Sequence, residues 1–531
     1  MSVFNQHISR ITEYVACAIS SFAVNSRKVF FFALFSGVVL SLFSVIFIHD
    51  MYRDVAAVYA YYAREISYGN WQDGWVGRVP MLHIMLSGLL AKLSGLEAFR
   101  ACVTISCSFF VLTIFPLRRF LERYVSPVWS AWGCVLFIFA PKVIRFSVSG
   151  LLDSGRYFFL MTSLLYFFRL TDKKIKMPDA VILGLSLAFL SVSRGEELFI
   201  ALLMLAGFPI FILFKQWREL RNIEIKKYLA GWGVIFIFFV AGLFPFCYGN
   251  YKYYNWFVPD LRLKEIVNLH GINMVSEENK QNDPLHRANE LHFGPQKKVD
   301  SVKNILNTLK DTSRGGYEIY LFFAICGAVY LLRQKKWNWE LTVIFGIFFI
   351  HFIIYNKIVS AYRYSIYLVP MFMPFTVTGL ELTGRKISGF LKKYSHGKIA
   401  AIQLFFATGS LLLLLFSAVN GMKCVSDRKD RGFQKTAEFI KKYAAENYPG
   451  RRCRIAAVSC AETIYHTGAI SHWGYKQHEL SPEQHKRSNF DLFLLGVNQN
   501  PELLTLAGNL QEIPTPEKFP VRIFRNTESA K

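Results

Sequence analysis

The chain has 531 residues, of which 53% are hydrophobic and 16% aromatic, a composition that excludes an ordinary soluble protein. Apolar runs of about twenty residues recur along it, the length that crosses a bilayer as a helix, so the class expected is polytopic membrane protein. The formal net charge of +24 would suit a nucleic-acid binder. The Lys and Arg residues, however, gather in short turns between apolar runs, as cytoplasmic loops do, and no nucleic-acid partner is expected.

The first apolar run, Val29–Ile48, follows Arg27-Lys28 and lacks a small-residue cleavage site, which predicts an uncleaved anchor with its N-terminus in the cytoplasm. An outer loop then spans 49–97. It carries Asp50 and Asp54, a tyrosine-rich helical pattern ending at Gly69-Asn70, and a second short amphipathic helix from Pro80 to Ser94-Gly95. Its Tyr59, Tyr61, Tyr62, Tyr68, Trp71 and Trp75 predict helices lying at headgroup level.

Nine further spans are predicted as far as Leu382: Phe99–Leu117, Val128–Ile144, Tyr157–Phe168, Ala180–Val192, Leu198–Phe214, Leu229–Tyr248, Tyr317–Leu332, Leu341–Tyr355 and Ile366–Leu382. The run Ile399–Val419 would be the eleventh. Basic turns such as Lys173-Lys174, Arg333 with Lys335-Lys336, and Lys392-Lys393 fall at every second loop, in keeping with about eleven spans. The longest loop, 249–316, is polar and contains His270, His286 and His292, without metal-site spacing. A loop of that length in a compact protein is usually functional or partly disordered.

Residues 1–420 thus form a transmembrane domain, and 421–531 turn globular. A helix is predicted over Lys435–Asn447, strands over Arg454–Val458, Asp491–Leu495 and Val521–Phe524, and helices over Ala461–His466 and Pro501–Leu506, a small α/β domain. Nine cysteines are scattered without Cys-x-x-Cys pairs, and Cys424, Cys453 and Cys460 leave room for one disulfide outside the cytoplasm. The outer segments have no Asn-x-Ser/Thr sequon, which leans towards a bacterial periplasm.

The run Arg53-Asp54, Tyr59-Ala60, Ala63-Arg64-Glu65, Gly69-Asn70-Trp71 and Pro80-Met81-Leu82 resembles the first outer loop of the membrane glycosyltransferases that use polyprenyl-phosphate sugars. This is the GT-C superfamily of the protein O-mannosyltransferases and the lipid A aminoarabinose transferase, glycosyltransferase family 39 in the broad sense. The match is to a divergent branch. Asp54 lies five residues before Tyr59, Val55 stands where the family's Asp is usual, and only one proline, Pro80, remains of a usual pair.

The resemblance implies a GT-C fold of about eleven transmembrane helices in a bacterial inner membrane, with a periplasmic C-terminal domain. It implies transfer of a sugar, with inversion, from a polyprenyl-phosphate donor to a periplasmic acceptor that is a lipid, glycan or protein. Such a reaction needs a base for the acceptor hydroxyl and cations for the departing phosphate. Asp54 is the expected base, although an acid there also suits a helix cap. Asp153, on the second outer turn, is a second catalytic candidate or a cap of the following helix. The two carboxylates would be able to share Mg²⁺ or Mn²⁺. Arg78, Arg194 and Arg363 are expected to converge on phosphate, with Glu196 and Tyr59 also lining the site. Arg194-Gly195-Glu196 resembles a feature of the same branch, though an Arg and a Glu so placed also suit a plain ion pair.

The rival class is a transporter or lipid flippase, which needs ionisable groups near the bilayer midplane. The predicted spans hold almost none, and the acids gather at their outer ends.

Overall fold

The computed structural model describes residues 25–48, 55–77, 79, 81–172, 175–219, 225–260, 263, 306–307, 310, 318–333, 339–357, 362–394, 433–458, 461–467, 470–471, 491–496, 510–515, 519 and 521–527. Helix α1, Ser26–Phe47, begins on an Asn25 side chain that accepts from the backbone N–H groups of Arg27 and Lys28. It turns Phe31, Phe35, Leu42, Ile46 and Phe47 outwards, an apolar stripe that only lipid would cover. The outer loop follows as a π-helical turn, Val55–Tyr59, then α2, Ala60–Ser67, and α3, Met81–Ser94.

The membrane helices continue as α4, Ala98–Leu112, α5, Ile114–Leu121, and α6, Pro127–Ile138. Pro141 then opens α7, Pro141–Ser147, which is bent by 60° from α6. Next come α8, Asp153–Asp172, α9, Met177–Ser193, α10, Glu197–Glu219, and α11, Ile225–Tyr254. Three more follow: α12, Glu318–Arg333, α13, Trp339–Lys357, and α14, Val369–Tyr394.

Helix α8 is the axis of the bundle, packed against α4, α5, α9 and α10. Its Leu160, Met161, Leu164, Phe167 and Phe168 are all buried. Small residues allow the closest crossings. A Cβ on Gly327 of α12 would lie 2.0 Å from the Phe375 carbonyl oxygen, and one on Gly379 of α14 would lie 2.0 Å from that of Phe323. The two glycines therefore set the contact distance of this pair, a packing common where lipid provides no hydrophobic drive between helices.

Four of the described helices are long and apolar enough to cross a membrane, and the bent pair α6–α7 makes a fifth. Shorter apolar helices accompany them. The chain is a multi-pass membrane protein. Ten of the predicted runs coincide with described helices; the eleventh, Ile399–Val419, lies outside the described residues, as does the predicted helix Pro501–Leu506. Most of the 249–316 loop and two of the three cysteines of the C-terminal segment also lie outside them, while Cys453 is a buried free thiol.

Beyond α14, helices α15, Phe433–Asn447, and α16, Ala461–Thr467, accompany a five-stranded mixed sheet. Its strands are β1, Arg454–Val458, β2, Ile470–Ser471, β3, Leu492–Gly496, β4, Leu510–Glu512, and β5, Val521–Asn526. The order is β2-β1-β3-β5-β4, with β2, β1 and β3 parallel and β3, β5 and β4 antiparallel. The predicted strands reappear within a residue or two. The unpredicted ones, β2 and β4, are edge strands of two and three residues, too short to carry an alternating pattern.

Candidate active site: a buried arginine cluster beneath the first outer loop

The site is built where four helix ends meet. Gly150 turns the chain between α7 and α8 at φ +80°, a left-handed conformation that glycine adopts without strain. Asp153 then opens α8, and the helix N-terminus is a favourable place for a carboxylate. Arg156 follows one turn on, within reach on the same face.

Both residues are buried, Asp153 at 1% exposure and Arg156 at 0%. Arg156 Nη1 donates to Asp153 Oδ1 at 3.3 Å, and Arg363 Nε donates to Asp153 Oδ2 at 3.1 Å. Arg363 comes from the single helical turn Tyr362–Ser365 that leads into α14. On its other side, Arg156 Nε donates to Glu197 Oε1 at 2.8 Å, and its Nη2 reaches the same oxygen. Arg194 Nε pairs with Glu196 Oε2 at 3.0 Å in the turn between α9 and α10. The charges of Arg363, Arg156 and Arg194 all bear on Asp153.

Aromatic and imidazole groups close the cluster. The Arg156 guanidinium lies 4.2 Å from the Tyr367 ring centroid, a cation–π contact. His351 of α13 sits between the Tyr367 hydroxyl at 3.1 Å and Ser365 Oγ at 3.2 Å. Asp260 borders the cluster: a Cβ added to Gly195 would lie 2.9 Å from its Oδ2, so a larger residue between Arg194 and Glu196 would have to displace that carboxylate.

The first outer loop sits against this cluster. Val55, the residue after Asp54, is fully buried, and its side chain would touch a Cβ placed on Gly150. The Tyr59 ring meets the His83 ring edge-on, with centroids 5.6 Å apart. His83 Nε2 donates in turn to the Gly150 carbonyl at 3.1 Å, which fixes its tautomer. The far end of the loop is tied to α11, where Trp75 Nε1 donates to Asn250 Oδ1 at 2.8 Å and the Tyr254 hydroxyl donates to the Trp75 carbonyl at 2.7 Å.

The headgroup-level placement predicted for the loop tyrosines is corrected by the structure. Tyr59, Tyr61, Tyr62 and Trp75 are buried, and Tyr68 is the exposed exception. The C-terminal sheet unit packs against the same loop, and its Arg452 holds Glu65 with two hydrogen bonds of 3.0 and 2.8 Å. Burial by itself would raise the Glu65 pKa. The Arg452 hydrogen bond and charge, with that of Arg64, more than offset it, and the carboxyl titrates below its usual range.

Of the residues singled out in the sequence, the structure brings together Asp153, Arg194, Glu196 and Arg363, with Tyr59 one contact removed through His83 and Gly150. Asp54 and Arg78 lie outside the described residues. Sequence reasoning missed Arg156, Glu197, His351, Tyr367 and Asp260 as members of the cluster. Two signals were present. Asp153-x-x-Arg156 has the spacing of a helical ion pair, and His351 is an ionisable residue inside an apolar run.

The surroundings of Asp153 do not fit a divalent cation. Its two oxygens face the guanidiniums of Arg156 and Arg363, and Arg194 adds a third positive charge, so a metal ion there would meet like charge. Among the described residues, no three His, Cys, Asp or Glu side chains group as metal ligands.

Structural likeness to solved GT-C membrane glycosyltransferases shows that this chain has their fold. Among solved structures, ArnT from Cupriavidus metallidurans bound to undecaprenyl phosphate aligns over 94% of this chain and 98% of its own, with a TM-score of 0.55 and 12% identity. The Archaeoglobus fulgidus oligosaccharyltransferase in complex with zinc and sulfate aligns over 93% of this chain and 72% of its own, with a TM-score of 0.57 and 11% identity. The oligosaccharyltransferase AglB from Archaeoglobus fulgidus, in complex with an inhibitory peptide and a dolichol-phosphate, aligns over 89% and 69%, with a TM-score of 0.54 and 11% identity. At these identities the likeness is one of fold. No protein-family model matches the sequence, and no curated protein is detectably similar to it.

Proposed function

We propose that the protein is a glycosyltransferase of a bacterial inner membrane, which takes a sugar from a polyprenyl-phosphate donor on the outer face and passes it to a periplasmic lipid, glycan or protein. The observation that carries this reading is the meeting of Arg156, Arg194 and Arg363 around Asp153, at helix ends directly under the first outer loop. Solved proteins of this fold include one bound to undecaprenyl phosphate and one in complex with a dolichol-phosphate, so lipid-linked phosphate is the ligand chemistry the fold favours.

In this reading the acceptor hydroxyl oxygen attacks the anomeric carbon from the face opposite the phosphate, and the configuration inverts. The new C–O bond forms as the anomeric carbon–phosphate oxygen bond breaks. The hydroxyl proton passes to the Asp54 carboxylate, and the lipid phosphate leaves with the bonding pair. Guanidiniums stabilise that developing charge without needing a general acid, because a phosphate is already a competent leaving group. Each guanidinium has five donors, so Arg363 and Arg194 are able to hold a carboxylate and a phosphate oxygen together. Asp153 acts as counter-ion and orienter of the arginines. A cation shared by Asp54 and Asp153, Mg²⁺ or Mn²⁺, is no part of this scheme.

The test is single-turnover sugar release from an undecaprenyl-phosphate donor by the purified protein in vesicles. Asp54→Asn is expected to cut transfer by about 10²–10⁴-fold, the usual cost of losing a general base, and Asp50→Asn to matter far less. Full turnover by both variants would refute the mechanism.

A further inference from the structure

The C-terminal sheet unit grips the loop on which the proposed chemistry depends, and the contacts are polar, wholly or partly buried, and far apart in sequence. Arg452, just before β1, holds both oxygens of Glu65, and the Glu65 side chain is only 1% exposed. Asn70 adds a third hydrogen bond to the same carboxylate. One residue earlier on α2, Arg64 Nη1 donates to the Tyr465 carbonyl of α16 at 2.7 Å, and its guanidinium lies 5.3 Å from the Tyr465 ring centroid. The Tyr465 hydroxyl then donates to Glu97 Oε1 at 2.9 Å and accepts from the Phe99 N–H at 3.1 Å, which fastens the same helix to the start of α4.

Helix α16 also packs directly on the π-helical turn Val55–Tyr59 that follows Asp54. A π-helical turn is an irregularity found mostly at functional positions, and it needs outside contacts to hold it. The membrane bundle meets that turn where Val55 lies against Gly150, and the C-terminal unit meets it through α16.

We infer that the C-terminal unit is a clamp that sets the position of the first outer loop, with Arg452 and Tyr465 as positioning residues for the reacting groups that the loop carries. This rests on the glycosyltransferase reading for its catalytic half, and on the contacts alone for its mechanical half. Neither residue touches the arginine cluster in any contact described above, so they act through the loop. A displacement of about 1 Å in a reacting group costs up to about 10²-fold in rate, so a loosened clamp is expected to show in turnover.

The experiment compares the full-length protein with Arg452→Glu, Arg452→Lys and Tyr465→Phe in vesicles. It reads kcat and KM for an undecaprenyl-phosphate sugar donor, together with amide hydrogen exchange. Arg452→Glu is expected to lower kcat by about 10–100-fold while donor KM stays within about 2-fold, because the loop moves and the arginine cluster does not. Exchange over 55–67 rises in the same variant, and exchange in α8 is unchanged. Arg452→Lys keeps the charge and retains most of the turnover, and Tyr465→Phe falls between. Unchanged kcat in Arg452→Glu, or unchanged exchange over 55–67, each overturns the inference. If the wild-type protein transfers no sugar from this donor, the proposed activity fails, and the exchange data still decide whether the clamp exists.

Discussion

Removing the Arg363 guanidinium separates the two roles the site requires of it. Arg363 Nε holds Asp153 at 3.1 Å, and Asp153 is 1% exposed, so Arg363→Gln leaves a buried carboxylate with one fewer cation. Breaking a buried pair from one side costs about 3–5 kcal/mol, and the lower end applies here because Arg156 still reaches Asp153 at 3.3 Å. A loss of about 3 kcal/mol should appear as a clear drop in thermal midpoint in detergent. The double variant Arg363→Gln with Asp153→Asn removes both charges and should recover much of that stability, since the penalty belongs to the unpaired charge. Catalysis should not recover. If Arg363 stabilises the departing phosphate, both variants should lose about 10²–10³-fold in kcat, the scale of one lost transition-state donor. A double variant that is both stable and active would show that the pair is structural and that phosphate is handled elsewhere.

Three further outcomes are expected. Exhaustive treatment with EDTA should leave single-turnover rates within about 2-fold, because guanidiniums occupy the positions a metal would need around Asp153; loss of activity restored by Mg²⁺ or Mn²⁺ would return a metal to the mechanism. The Glu65–Arg452 contact should hold from neutral pH down through the usual Glu range near 4.5 and be lost only below it, because the folded carboxyl titrates lower than the unfolded one; exchange over 55–67 followed against pH checks this, and Glu65→Gln should abolish the transition. Gly327→Ala should destabilise by more than the about 1–3 kcal/mol of ordinary overpacking, since its Cβ would meet a backbone oxygen, while Gly233→Ala, with open space around it, should be near neutral in the same thermal assay.

Hydropathy located the helices because lipid imposes it on every exposed face, as the outward Phe31 and Phe35 of α1 show. The outer helix ends escaped it for the opposite reason. The predicted fourth span began at Tyr157, whereas α8 begins at Asp153, because Asp153 and Arg156 neutralise each other and their neighbours inside the protein. Helix α2 was legible as a helix but not as a buried one. Its tyrosines and Arg64-Glu65 are what an interfacial helix would carry, and the partner that holds buried Glu65, Arg452, lies 387 residues further along the chain. No local pattern records a contact of that separation. The arginines, by contrast, were legible individually from their chemistry. Arg363 does bond Asp153, Arg194 bears on it by charge while pairing with Glu196, and Arg156, the further partner of Asp153, was the one that helical spacing alone would have added.

The cluster is also an argument about why these charges are kept. Three arginines with Asp153, Glu196 and Glu197, all nearly inaccessible to water, are a costly way to fill space in a membrane protein. Apolar residues of similar volume are often as stabilising as a buried ion pair, or more so. Stability therefore does not account for Arg156 sharing its guanidinium between Asp153 and Glu197, nor for Arg363 crossing from the start of α14 to reach the same aspartate. What the arrangement does achieve is to hold strong, directional donors in fixed positions and in a dry place, at the helix ends that face the first outer loop. In the proposed reading, donors held in this way need no reorganisation when a phosphate binds, and their carboxylate partners keep them in place until then. The proposed glycosyltransferase reading gives that energetic cost a purpose, since it asks for fixed cations beside the loop that the C-terminal unit contacts.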